Sequence, residues 1–195
     1  MRWARSITLF VIGAVFGVCA LASVAGCGGD AGLAKQDALR GDALYNVASG
    51  IKTQLDAAKA GIERLMVAND AGGLVAMQSS IQGILAKIDR SMSTIDKALV
   101  EYRKVTKFQG VDKYKEYVSI QTEAALKEQQ ALAVGKGLAA YVLTLVEAAK
   151  SGKPVSLNDS LKAVSATINQ LDELERNTDD LKRQARTFAL NNDLF

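Results

Sequence analysis

Apolar side chains return in alternating steps of four and three through four long stretches of this chain, and that rhythm fits helices far better than strands. The first stretch is predicted from about Asp42 to Val67, with Leu44, Ala48, Ile51, Leu55, Ala58, Ile62 and Leu65 in step. The second carries Leu74, Met77, Ile81, Ile84, Ile88, Ser91, Ile95, Ala98, Tyr102 and Val105. The third spans about Asp112 to Lys150, its stripe running from Tyr117 through Ala124, Ala131, Leu138 and Tyr141 to Ala148. The fourth shows Leu157, Leu161, Val164, Ile168, Leu171, Leu174, Thr178, Leu181, Ala185 and Phe188, with two successive steps of three at Leu171 and Leu174. That local overwinding is a stammer.

The breaks between stretches carry turn chemistry. Asn69-Asp70-Ala71-Gly72-Gly73 ends the first, Gly110 is a C-cap position after the second, and Ser151-Gly152-Lys153-Pro154 follows the third. Ser156 with Asp159 three residues on reads as an N-cap. Four amphipathic helices joined by short breaks predict an all-α fold, an up-down-up-down four-helix bundle with long coiled-coil-like helices. Helices of about 30 residues would make it roughly 45 Å long. A long two-helix hairpin with a looser second half is the structural alternative.

The N-terminus is different in kind. Arg2 and Arg5 precede an uncharged apolar run from Ile7 to Ala22, and small residues then lead to Val24-Ala25-Gly26-Cys27. That order is a secretory signal with a processing site. The run Val24-Ala25-Gly26-Cys27 resembles the lipobox of bacterial lipoproteins. The resemblance implies cleavage before Cys27 and a diacylglycerol on its sulfur, and so a membrane partner. Gly28 and Gly29 carry no acid at the position after the cysteine. The implied location is therefore extracytoplasmic, lipid-anchored to an outer membrane or to the outer leaflet of the plasma membrane. Two other readings stay open. The segment Ile7 to Gly26 has roughly the 20 residues that would span a bilayer uncleaved. An ordinary signal peptidase could also cut after Ala22 or Ala25. The organisation expected is a signal over 1–26, a lipidated cysteine with a flexible tether over 27–41, and one helical domain over 42–195. The Gly/Ala-rich tether would reach under roughly 20 Å.

Composition excludes several functions. Of 24 Lys and Arg, Arg2 and Arg5 leave with the signal, so 22 face 21 Asp and Glu. A near-neutral chain lacks the basic surplus of a nucleic-acid binder. With Cys19 in the signal and Cys27 lipidated, no disulfide or free thiol remains. There is no histidine, which removes the commonest general base and most zinc chemistry. No phosphate-cradling motif is present, and no Glu-x-x-His pair exists to build a di-iron site. The expectation is a protein without catalytic activity, metal or cofactor.

Three candidate surfaces follow from the bundle. If residue 27 is held at the bilayer, the turn between the second and third helices and the C-terminus face it too. Seven of the eight aromatic residues after Cys27 fall near that end, with Lys104, Lys107, Phe108, Lys113, Tyr114 and Lys115 as membrane-facing candidates. Aromatic and basic residues together suit headgroups, and equally an aromatic plug under a solvated surface. At the far end, Leu138 to Val146 is apolar except for Thr144, with Leu138, Ala140, Leu143 and Val146 as partner-interface candidates if the stretch is not simply core. Gln121 and Glu128, beside Thr122 and Gln129, border the third stripe and are ligand-binding candidates. The function expected is an envelope scaffold, docking or protein-interaction factor. The alternative is a sensor-like or carrier module binding a small amphiphile between helices.

Overall fold

The computed structural model of the chain describes residues 29–153 and 156–195. The signal, Cys27 and Pro154 lie outside the described residues. Among the described residues the protein is all-helical, with six α-helices and no strand. They are α1 (Asp30–Ser49), α2 (Lys52–Val67), α3 (Ala71–Ala76), α4 (Gln78–Val105), α5 (Asp112–Lys150) and α6 (Leu157–Asn191).

Two of these boundaries are only interruptions. Ile51 and Met77 keep right-handed helical backbone, so α1 runs on into α2 and α3 into α4. At Gly50 the amide reaches back three residues to the Val47 carbonyl, which tightens the turn locally. The apolar rhythm passes through both points unbroken, which is why four helices were expected where six are found. The interruption at Gly50 has a packing consequence. α1 lies mainly on α4 and touches α5, whereas α2 turns away to pack on α6. α5 packs on both α4 and α6, and α3 on α5. Cross-helix contacts fall in antiparallel order: Asp42 with Tyr102 and Gln54 with Lys87, Asp89 with Lys136 and Asp96 with Gln129, Tyr114 with Leu194 and Glu128 with Lys182, and Lys52 with Asp179 and Lys59 with Glu175.

The expected turn signals operate as chemistry requires. Asp70 caps α3 by accepting from the Gly73 amide at 2.8 Å, and Ser156 caps α6 by accepting from the Asp159 amide at 3.3 Å. Gly110 is not the C-cap expected, since α4 ends at Val105 with Thr106 as its cap, but it takes a φ of +66° in the α4–α5 turn, the left-handed conformation that costs glycine least. The stammer leaves α6 unbroken from Leu157 to Asn191.

The tether is a correction. From Asp30 onward it is helix, and Ala34 and Ala38 are wholly buried. A Gly/Ala-rich segment reads as a linker, but here the small side chains let α1 lie close against α4. Gly41 faces the Tyr102 ring so closely that a Cβ would overlap it. A second correction concerns α5. Tyr141, placed on the core stripe, is exposed, while Ala125, Leu132, Ala139, Val142 and Val146 are buried. A straight helix drifts about 20° per heptad from a 3.5-residue repeat. Over 39 residues, with neighbours on two sides, the buried face leaves the predicted stripe.

The core has two chemistries. Around α1 and the facing ends of α4, α5 and α6 alanine and tyrosine, among them Ala34, Ala38, Tyr45, Ala98, Tyr102, Tyr117 and Ala124, are mixed evenly with branched aliphatics. Around α2 and α3 it is aliphatic, with Ile62, Met66, Leu74, Ile81, Leu138, Val142 and Leu171.

Candidate functional site

Polar side chains cross the interior in layers, and each layer joins separate helices. In the first, Asp42 of α1 is the acceptor. Tyr102 of α4 donates to Oδ1 at 2.8 Å, Tyr117 of α5 to Oδ2 at 2.7 Å, and Gln121 Nε2 to Oδ1 at 3.2 Å. Gln121 Nε2 also reaches the Tyr117 hydroxyl at 2.8 Å. Burial raises the Asp42 pKa above 3.8, against the opposing pull of the two tyrosine hydrogen bonds. Burial, with the Asp42 charge beside them, raises both tyrosines as well. Among the described residues two buried atoms have no hydrogen-bond partner, Gln121 Oε1 and the Tyr45 hydroxyl. Lys182 sits 4.5 Å over the Tyr45 ring, a cation–π contact.

The next layers lie between α1, α2 and α6, with Glu128 of α5 joining them. Glu128 Oε2 accepts from Ser49 Oγ at 2.9 Å and from Lys182 Nζ at 2.8 Å. Lys52 meets Asp179 at 2.6 Å. Lys59 is only 8% exposed, and its ammonium touches three carboxylates, Asp56 and Asp172 at 2.9 Å and Glu175 at 3.0 Å. Burial works against the Lys59 charge, but hydrogen bonds to Asp172, Asp56 and Glu175 outweigh it and its pKa rises. Burial also raises Glu175, and Lys59 only partly offsets this.

Open space is unevenly spread. Two gaps of about 20 and 30 Å³, beside Lys59 and Glu128, have room for no more than about one water each. A pocket of about 270 Å³ opens between α5, α6 and the C-terminal residues, lined among others by Tyr117, Gln121, Arg186, Leu190 and Phe195.

The predicted site residues separate on this frame. Gln121 and Glu128 lie in the polar layers just described, where their groups already bridge helices, and Gln121 also lines the pocket. Leu138 and Val146 are buried in the aliphatic core, a correction to their role as interface candidates. They sit inward because α5 is covered by α3, α4 and α6 at that level. Ala140 is exposed and Leu143 half-buried. Lys107 and Lys113 are exposed, Lys115 is half-buried, and Lys104 pairs with Glu101 at 2.6 Å. Phe108 and Tyr114 pack partly against the core, and the Tyr114 hydroxyl donates to the Leu194 carbonyl at 2.9 Å. The structure gathers the aromatic cluster at one end, with Phe195 edge-on to Tyr117 at 5.1 Å and to Tyr114 at 6.1 Å.

Asp42 and Lys59 escaped the sequence reading. The signal was a charged residue occupying an otherwise apolar register. Lys59 interrupts Leu55, Ile62 and Met66, and Asp42 stands between Ala38 and Tyr45. Each resembled a surface residue because the partners it meets on other helices lie 60 to 116 positions away. No protein-family model matches the chain, and no curated protein or solved structure matches it either.

Proposed function

We propose that this protein is a lipid-anchored, non-catalytic helical bundle that holds a docking surface against the outer face of a bacterial membrane. The antiparallel side-chain pairs support reading its six helices as four rods in an up-down-up-down bundle. The observation that carries the functional reading is the start of α1 at Asp30, three positions beyond Cys27. Three extended residues span about 10 Å. Asp30 Oδ2 accepts from the Gln109 amide at 3.0 Å, which joins the first turn of α1 to the α4–α5 turn. A lipid on Cys27 would therefore bring Lys107, Lys113 and Lys115 close to the headgroups. Two acyl chains on one residue anchor stably. The non-catalytic part is supported by the interior carboxylates, which are committed to partners on other helices. Docking falls to the far outer face of α5, where Ala140 and Tyr141 are exposed beside half-buried Leu143.

Fractionation with intact-mass measurement tests the anchor. The native protein is expected in the membrane fraction, beginning at Cys27 with a diacylglyceryl addition, and Cys27→Ser should lose that addition and the mature end. A membrane-bound Cys27→Ser chain whose native counterpart still begins at Met1 would replace the anchor with a membrane span. Cleavage after Ala22 or Ala25 would make the protein a secreted one. A photo-reactive side chain at Tyr141 should capture one reproducible neighbour that the same group at buried Val142 does not.

A further inference from the structure

The end pocket has a division of chemistry that neither the polar layers nor the docking reading uses. Its α6 wall changes character along the helix. Leu190 is 69% exposed, and Phe195, also on the rim, is 49% exposed. One turn earlier on the same wall stands Arg186, exposed and without an ion pair among the described residues, and another turn earlier the half-buried Lys182. Four residues of helix advance about 6 Å. Apolar side chains thus line one end of the open pocket, and the cations follow about 6 and 12 Å along α6. The floor is Tyr117 and Gln121 of α5. Asp193 also lines the pocket, and Glu128 already holds Lys182, so Arg186 is the uncommitted cation.

We propose that this pocket binds one amphiphile with a phosphate headgroup, the anion at Arg186 within the field of Lys182 and the alkyl chain leaving past Leu190 and Phe195. A guanidinium presents paired donors that match phosphate oxygens. Two large apolar side chains left in water beside it are stabilised when an alkyl chain covers them. A volume of about 270 Å³ admits a headgroup and the first carbons but not a whole lipid, so the tail must project outward. The apolar end of the pocket is at the same end of the fold as the start of α1, since Lys35 lies 5.9 Å over the Phe195 ring. A bilayer lipid as the source of the ligand rests on the anchored reading above, and the pocket itself does not. The amphiphile's tail would then point toward the bilayer that holds Cys27.

Native mass spectrometry of the full chain purified from membranes in neutral detergent tests both at once, because the anchor is read from the mass of the protein itself. With phosphatidylglycerol one adduct per chain is expected, about tenfold more abundant than with phosphatidylcholine, and octyl phosphate should compete for it. Inorganic phosphate should compete at least tenfold less well. Arg186→Gln and Leu190→Ser are both at exposed positions and should each lower the adduct at least fivefold, whereas Lys153→Gln at the far end should leave it unchanged. Equal adducts with both phospholipids, or adducts indifferent to Arg186→Gln and Leu190→Ser, would overturn the proposal. Competition by inorganic phosphate as strong as by octyl phosphate would overturn it in favour of a plain anion site. Competition by octyl phosphate on a chain whose mass lacks the diacylglycerol would keep the pocket and remove the bilayer as its supply.

Discussion

The two ends of the bundle bury charge in opposite ways. Near α1 a single carboxylate, Asp42, is held by neutral donors, Tyr102, Tyr117 and Gln121. Further along, a single cation, Lys59, is held by three carboxylates. Neutral donors leave a buried charge uncompensated, so burial sets the pKa of Asp42. Opposite charges compensate it, so the partners set that of Lys59. Packing differs in parallel. The Asp42 half sets alanine and tyrosine among its branched aliphatics, and Gly41 and the small alanines leave room that rings fill. The Lys59 half uses branched and long aliphatics at ordinary spacing. The lesson is that one heptad rhythm covers two kinds of interface. The rhythm states which residues face inward but not how close the helices come.

The largest test of this contrast is removal of the cation. Lys59→Met should cost about 3 kcal/mol, because breaking a buried pair leaves a charge without its partner. The penalty should shrink as pH falls, since Glu175, already raised by burial, loses the ammonium that lowers it. Urea unfolding at two pH values reads both effects, and an unchanged midpoint would show that Glu175 never depended on the pair.

Two glycines sharpen the packing side. Gly41→Ala should cost about 2 kcal/mol by overpacking against Tyr102. Gly135 is also buried, but a Cβ there would meet Leu171, Ile88 and Leu55 at 3.8 to 4.0 Å, ordinary contact. Gly135→Ala should therefore hold or raise stability by up to about 1 kcal/mol through helix propensity. Equal effects at the two sites would erase the distinction between the halves.

Asp42→Ala should cost about 1–2 kcal/mol by stranding the hydroxyls of Tyr102 and Tyr117, while Asp42→Asn, which keeps an acceptor and removes the charge, should cost less than about 1 kcal/mol. The smallest effect is on pH. The folded pKa of Asp42 lies above 3.8, so its ionisation opposes folding. Its contribution is most favourable below 3.8 and declines as pH rises through the folded value. The stability of the native chain relative to Asp42→Asn should therefore increase on acidification through that window, and a decrease would mean that the tyrosine hydrogen bonds outweigh burial.

Much of this was legible in particular residues. The bounds of α5, the break at Asn69–Gly73 and the cap at Ser156 follow from local chemistry that acts within a few positions. Burial of Ser91 and Thr178 on otherwise apolar stripes follows from period alone. The start of α1 was hidden because Ala34, Ala38 and Gly41 have almost no side chain to announce a face, and their meaning comes from Tyr102 across the interface. Lys59 was hidden because a lysine in a helix is ordinary until Asp172 and Glu175 arrive from α6. The pocket draws on α5, α6 and the last residues, which no single stretch contains.

The sequence by itself determined that the described chain is helical and where its main turns fall, because hydrogen bonding and turn chemistry are local. It also placed a lipobox-like run at Cys27, whose reading as an anchor is a matter of motif and not of fold. Only the tertiary structure decided which face of each helix is truly buried, that the segment after Cys27 is structure and not linker, and which charges meet. Those outcomes depend on how closely two helices approach and on what the facing helix supplies, and neither quantity is written at the position it governs.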